Sequence, residues 1–154
     1  MSTPKPFETT IAQAKDGKVY LPLPFDPAQA WGANARHVGG HIGPWNIRGV
    51  AETFDGHPGV VIGAAWRRDC GLSPGDKVAA ALAPEGPHRK DLPADIAGAL
   101  AAEPAAAAFF DAVAPFYRKA YLTWADTNLR KPDVRAARVA QMVALLKAGE
   151  KERP

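Results

Sequence analysis

Up to about Leu82 the chain alternates short apolar runs with turn residues. Phe7 to Ala12 and Val19 to Leu23 read as two strands around Asp16-Gly17-Lys18, where glycine supplies the positive φ of a tight turn. Asp26-Pro27 has the form of an N-cap followed by proline at the first helical position. It opens a short helix that ends at Gly32. His37 to Ile42 predicts a third strand, with Gly39 and Gly40 marking a bulge or a close backbone approach. Asn46 to Phe54 predicts a fourth strand, Asp55-Gly56 a turn, and Val60 to Ala64 a fifth strand. A helical turn over Ala65 to Cys70 ends at Gly71. Ser73-Pro74-Gly75-Asp76 then turns the chain into a sixth strand, Lys77 to Leu82. Short strands at this spacing predict a small β-barrel.

The punctuation repeats. Val19 to Leu23, a short helix, Gly32, a loop and Val38 form one unit. Val60 to Ala64, a helical turn, Gly71, a loop and Val78 form another. A pseudo-twofold barrel built from two such units accounts for the pattern. After Ala83 the texture changes. Pro84-Glu85-Gly86-Pro87 is linker-like, alanine becomes frequent, and helix signals follow each proline. Pro93 opens Ala94 to Ala102, Pro104 opens Ala105 to Val113, and Pro115 opens Phe116 to about Thr127. Pro132 opens a last helix that ends at Gly149. The expectation is an α+β chain: a barrel over residues 1–83, a compact helical module over 84–149, and a frayed charged tail over 150–154.

Composition narrows this picture. A chain of 154 residues suits one domain, or one domain with an appended helical unit. Fifteen prolines and fourteen glycines exclude a coiled coil. No apolar run approaches the ~18 residues that a membrane-spanning helix needs. The first residues, Met1 to Pro6, have no apolar stretch behind them, so no signal peptide is expected. One cysteine, Cys70, excludes an internal disulfide and fits a reducing, cytoplasmic setting. The net charge of +3 is a mild excess, and the basic pairs are scattered along the chain.

The two textures together resemble a known family. Phe7-Glu8, the run from Val19 to Asp26, and Cys70-Gly71-Leu72-Ser73-Pro74-Gly75-Asp76-Lys77-Val78 resemble the small barrel domain of YdeI/OmpD-associated, bacteriocin-protection-like proteins. The second half is similar to the helical partner in that family. It carries Leu92-Pro93-Ala94-Asp95-Ile96, Leu100, Phe109-Phe110, the run from Tyr117 to Trp124, and Arg135-Ala136-Ala137-Arg138-Val139. The resemblance implies a double-split β-barrel of about six strands followed by a small α-helical module, and no settled reaction. Two places depart from the family pattern, reading Asn128-Leu129 where an Ala-Lys pair is usual and Val134-Arg135 where a Thr-Arg pair is usual.

The candidate chemistry is basic and aromatic. Val139, Met142, Val143 and Leu146 have the spacing of a buried helical stripe, and Arg135 falls four residues before Val139 on the same face. An arginine there needs a carboxylate, such as Asp126 or Asp133, or a bound anion. Tyr117, Tyr121 and Trp124 share one helical face, as a packing stripe or as a stacking platform. Arg67, Arg68, Arg118, Trp124, Arg135 and Arg138 are the residues expected to line any anion site. A pocket between barrel and helices would join Arg67 and Arg68 to Trp124 and Arg135. His37 and His41 would point to one face of their strand, but no third ligand is specified by spacing and no metal is assigned. Cys70 follows Arg67-Arg68-Asp69; basic neighbours favour a thiolate, yet a packed, inert thiol is the expectation. Nucleophile elbow, phosphate loop, dinucleotide fingerprint and metalloprotease helix are all missing from the sequence, so no catalytic residue or cofactor is assigned.

Three functional readings follow. The first is a non-enzymatic binding or interaction protein with a protein or small-molecule partner, and the family name suggests a role in stress or bacteriocin tolerance. The second is a nucleic-acid binder, by analogy with AbrB-like swapped-hairpin barrels. The third is a binder of a small anionic ligand, or an enzyme acting on one.

Overall fold

A computed structural model describes residues 4–126 and 130–154 of the chain. The departure at Asn128-Leu129, and the expected end of a helix near Thr127, lie outside the described residues. Two compact units follow one another, Met1–Pro84 and Glu85–Pro154.

The first unit holds β1 (Lys5–Thr10), β2 (Ala12–Gln13), β3 (Val19–Pro22), α1 (Pro27–Trp31), β4 (His37–Ile42), β5 (Trp45–Phe54), β6 (His57–Val61), α2 (Ala64–Cys70) and β7 (Lys77–Pro84). Every pairing is antiparallel, in the order β1-β7-β4-β5-β6-β3-β2. The two outermost strands are one stretch of chain interrupted only at Ile11, so the barrel is nearly closed. That interruption turns the six expected strands into seven. β1 pairs with β7, and past Ile11 β2 pairs with β3. β5 divides in the same way. His37↔Val50 is its last pairing with β4, and Ala51↔Val60 opens its pairing with β6. Two strands, each shared between two sheets, make the barrel double-split.

The register also reveals the pseudo-twofold. Exchanging β4 with β7, β3 with β6, and β5 with the β1–β2 stretch maps the strand order onto itself. One hydrogen bond occurs twice under this operation. Ile11 N–H donates to Asp76 O at 2.9 Å, and its counterpart Ala51 N–H donates to Arg36 O at 2.7 Å. The inward faces of both halves supply one core, including Ile11, Leu21, Val38, Ile42, Val60 and Leu82.

Several local expectations need correction. Gly39 and Gly40 make no bulge, because pairing runs unbroken from His37↔Val50 to Ile42↔Trp45. The close approach is real instead. A Cβ on Gly40 would lie 1.9 Å from Ala81 O, well inside any contact distance. β6 begins at His57, earlier than expected, since Asp55 (φ 50°) and Gly56 (φ 84°) form a two-residue turn that sets Phe54 opposite His57. Ala64 joins α2 rather than β6. β7 extends to Pro84, opposite Val38, so the barrel ends one residue beyond the expected boundary.

In the second unit a 3-10 turn, Arg89–Asp91, precedes α3 (Ala94–Ala101), α4 (Pro104–Ala112), α5 (Pro115–Ala125) and α6 (Pro132–Lys147). Pro93 stands at the N-cap of α3, and Pro104, Pro115 and Pro132 are the first residues of the others. Proline suits these places because the first helical N–H has no partner within the helix. Ile96, Leu100, Phe110, Tyr121, Met142 and Leu146 form a core from all four helices. The tail was expected to fray. It folds back instead, and the hydroxyl of fully buried Tyr121 is shared between Glu150 O at 2.6 Å and Glu152 O at 3.0 Å. No described helix is long and apolar enough to cross a membrane.

The Gly40 contact is directly testable. Gly40→Ala must push β4 away from β7, and it should destabilise the barrel by about 2–4 kcal/mol in chemical denaturation. An unchanged unfolding midpoint would show that the two strands part without cost.

Candidate functional site

A cleft of about 700 Å³ opens in the barrel unit beside α1. Leu23, Phe25, Ala51 and Pro58 give it an apolar lining, while Asp26, Arg36 and Glu52 bring charge. Phe25 is held edge-on between Phe7 and Trp31, with ring centroids 5.3 and 5.2 Å away. Asp26 caps α1 by accepting from Ala28 N–H at 3.0 Å. Arg36 is fixed against β5 through its carbonyl, which receives Ala51 N–H. Arg36 and Glu52 have no ion-pair partner among the described residues.

The two half-barrels differ at one connection, and the cleft lies beside it. Between Gly71 and β7 the chain runs Leu72-Ser73-Pro74-Gly75-Asp76. Ser73 N–H donates to Asp76 Oδ2 at 2.9 Å, and Gly75 N–H donates to Ile11 O at 2.7 Å. This folded turn closes down on the pivot of the β1–β2 stretch. Between Gly32 and Arg36 the equivalent connection is one residue shorter, Ala33-Asn34-Ala35-Arg36, without proline or glycine. Ala35 N–H turns back to Gly32 O at 3.3 Å, so it does not close on Ala51. Sequence reasoning missed Arg36 and Glu52; the signal was this difference between two otherwise matched connections.

The expected anion-site residues fall in both units. Arg67 and Arg68 lie in the last turn of α2, where Arg67 Nε reaches Ile62 O at 3.4 Å and Arg68 is exposed. The other four lie in the helical unit. Arg118 is only 3% exposed, yet among the described residues it has no carboxylate within hydrogen-bonding distance. Its Nε donates to Val113 O at 3.0 Å, and its Nη1 donates to Glu85 O at 2.8 Å and Pro87 O at 3.0 Å. Its guanidinium also lies 5.9 Å from the Phe110 ring centroid. Burial lowers its pKa, and the charges of Asp111 and Glu85 act in the opposite direction.

Arg135 binds Asp95 through two hydrogen bonds, 2.8 and 3.0 Å, and also binds Asp126. It thus joins α3, the end of α5 and α6. Its guanidinium pulls the Asp95 carboxyl below the ordinary carboxylate value. Arg138 donates to Trp124 O at 2.9 Å and lies over the indole, 5.5 Å from its centroid. Trp124, Arg135 and Arg138 therefore gather at the α5–α6 junction, and Arg118 stands near the opposite end of α5. Within the aromatic stripe Tyr121 is fully buried, and Trp124 packs against the same core.

The remaining candidates are quickly placed. Cys70 is half-exposed, and desolvation, then the charge of Asp69, pushes its thiol up rather than toward a thiolate. His37 and His41 share the outward face of β4, with Val38 and Ile42 buried on the other. Among the described residues no group of three or more His, Cys, Asp or Glu is placed to hold a metal.

The Arg118 contacts carry an expected outcome. Arg118→Met keeps most of the buried volume but strips a donor from three carbonyls, and should destabilise the helical unit by about 3 kcal/mol or more. Arg118→Lys retains the charge but not the planar fork, and should fall between the two. Chemical denaturation of the full chain checks the order; equal stability of all three would remove Arg118 from the account.

Comparison with known proteins locates the chain. No curated protein matches it. Residues 91–149, which run from the end of the 3-10 turn through all four helices to Gly149, match the protein family described as "Bacteriocin-protection, YdeI or OmpD-Associated". The proline-started helices around the Tyr121 core are the part that carries this match, and through that unit the chain is similar to the YdeI/OmpD-associated, bacteriocin-protection family.

Proposed function

We propose that this protein is a non-enzymatic binding protein of the cytoplasm and that the cleft beside α1 is its binding site. The observation that carries this reading is the cleft itself. Its volume of about 700 Å³ lies within the range usual for small-molecule sites, and its apolar lining with a few charged groups is the usual composition of one. The single, half-exposed Cys70 fits a reducing compartment. The description of the matched family names bacteriocin protection, and we take tolerance of such a stress as the physiological setting.

An anion or nucleic-acid site on the helical unit receives less support. Arg89 is paired with Asp111, Arg118 with three carbonyls, Arg135 with two aspartates and Arg138 with Trp124. Each guanidinium is already engaged inside its own unit, which leaves less basic surface for phosphates. Arg68, exposed on α2, keeps its place as a candidate anion contact.

The test is a fragment screen by amide NMR on the full chain. Hits should shift the amides of Ala28, Ala35, Ala51 and Thr53. Ala28 is exposed and lines the cleft, so Ala28→Trp should fill it and weaken those hits about ten-fold or more without unfolding the barrel. Hits that map elsewhere, or that bind Ala28→Trp unchanged, would overturn the reading.

A further inference from the structure

The cleft's charges narrow the kind of molecule it takes, and this step rests on the cleft being the binding site. Arg36 stands on the wall that leads into β4. Glu52 stands on β5, one residue beyond Ala51, whose N–H is bonded to Arg36 O. Arg36 and Glu52 both border the cleft, and neither is spent on an ion pair among the described residues. Asp26 adds a second carboxylate on the α1 side, with one oxygen committed to the helix cap. Leu23, Phe25 and Pro58 offer an apolar surface, and Phe25 is braced by Phe7 and Trp31, so that surface is set before any ligand arrives.

A purely anionic ligand would meet Arg36 but also two carboxylates. A purely cationic ligand would leave the guanidinium unpaired in the same space. An apolar ligand would leave all three charges facing it without compensation. We propose that the cleft binds a small zwitterion with an apolar body, of dipeptide size. Its carboxylate is received by Arg36, its ammonium group by Glu52, and its side chains lie on Leu23, Phe25 and Pro58. Arginine suits the first role because its planar fork matches a carboxylate bidentately. The dimensions suit the class, since the cleft exceeds a single amino acid and is too small for a folded partner.

The experiment titrates the full chain with leucyl-phenylalanine, its N-acetyl derivative and its C-terminal amide, followed by backbone amide NMR. The free dipeptide should shift Arg36, Ala51, Glu52 and Thr53. Blocking either terminus should weaken binding about ten-fold, the loss of one charge-assisted hydrogen bond. Arg36→Gln should weaken the free dipeptide yet leave the C-terminal amide unaffected. Glu52→Gln should do the same with respect to the N-acetyl form. Both positions are exposed, so the variants should unfold at the wild-type temperature. If the three peptides bind the cleft equally, the zwitterion proposal fails and the cleft reading survives. If none shifts these amides while fragments do, the ligand class is likewise overturned. If neither peptides nor fragments bind there, the cleft reading fails as well.

Discussion

The barrel depends on a strand pivot used twice. At Ile11 the chain leaves one sheet and enters the other, and its N–H is held by Asp76 O as it crosses. At Ala51 the same happens with Arg36 O as the acceptor. Without these crossings the seven strands would form two open sheets with exposed edges, which are templates for aggregation. With them, each half of the barrel closes the other. The cleft lies beside one of these pivots. Gly75 N–H is bonded to Ile11 O, whereas the connection before Ala51's acceptor Arg36 is one residue shorter and bends back to Gly32 O.

The helical unit is organised differently. Its helices are short, and each is started by a proline, so helix propensity contributes little to holding them in place. Arginines help to join them, Arg118 and Arg135 with the most partners. Arg118 satisfies three carbonyls from the segment before the 3-10 turn and from the α4–α5 corner. Arg135 brings Asp95 and Asp126 together from two other helices. A buried guanidinium is costly unless its donors are used, and Arg118 uses them on three backbone carbonyls. For Arg135 the sequence already offered Asp126 as a partner, which the structure bears out, with Asp95 added from α3. The partners of Arg118 were hidden because carbonyl acceptors carry no sequence signature.

Much of the fold was legible from local chemistry. The Asp26 cap, the Gly32 and Gly71 stops and the four proline starts appear where the residues placed them. The repeat in punctuation pointed to the pseudo-twofold. What was not legible depended on pairing between distant segments. The split at Ile11 is invisible in an apolar run that reads as one strand. The early start of β6 is set by the register of the Asp55-Gly56 turn, and the folded-back tail by the hydroxyl of Tyr121. The cleft was hardest to see, because its charges sit on a loop and on a strand that only the barrel brings side by side.

The most direct measurement exchanges the connection that makes the two halves unlike. Replacing Ala33-Asn34-Ala35-Arg36 by a copy of Leu72-Ser73-Pro74-Gly75-Asp76 should give the first half the same folded turn. Amide hydrogen exchange then reads whether the new glycine N–H is protected as Gly75 N–H is, and ligand titration reads whether the cleft still fills. A protected amide and the loss of binding are expected in a barrel that remains folded. A folded variant with that amide protected and with cleft binding unchanged would contradict it.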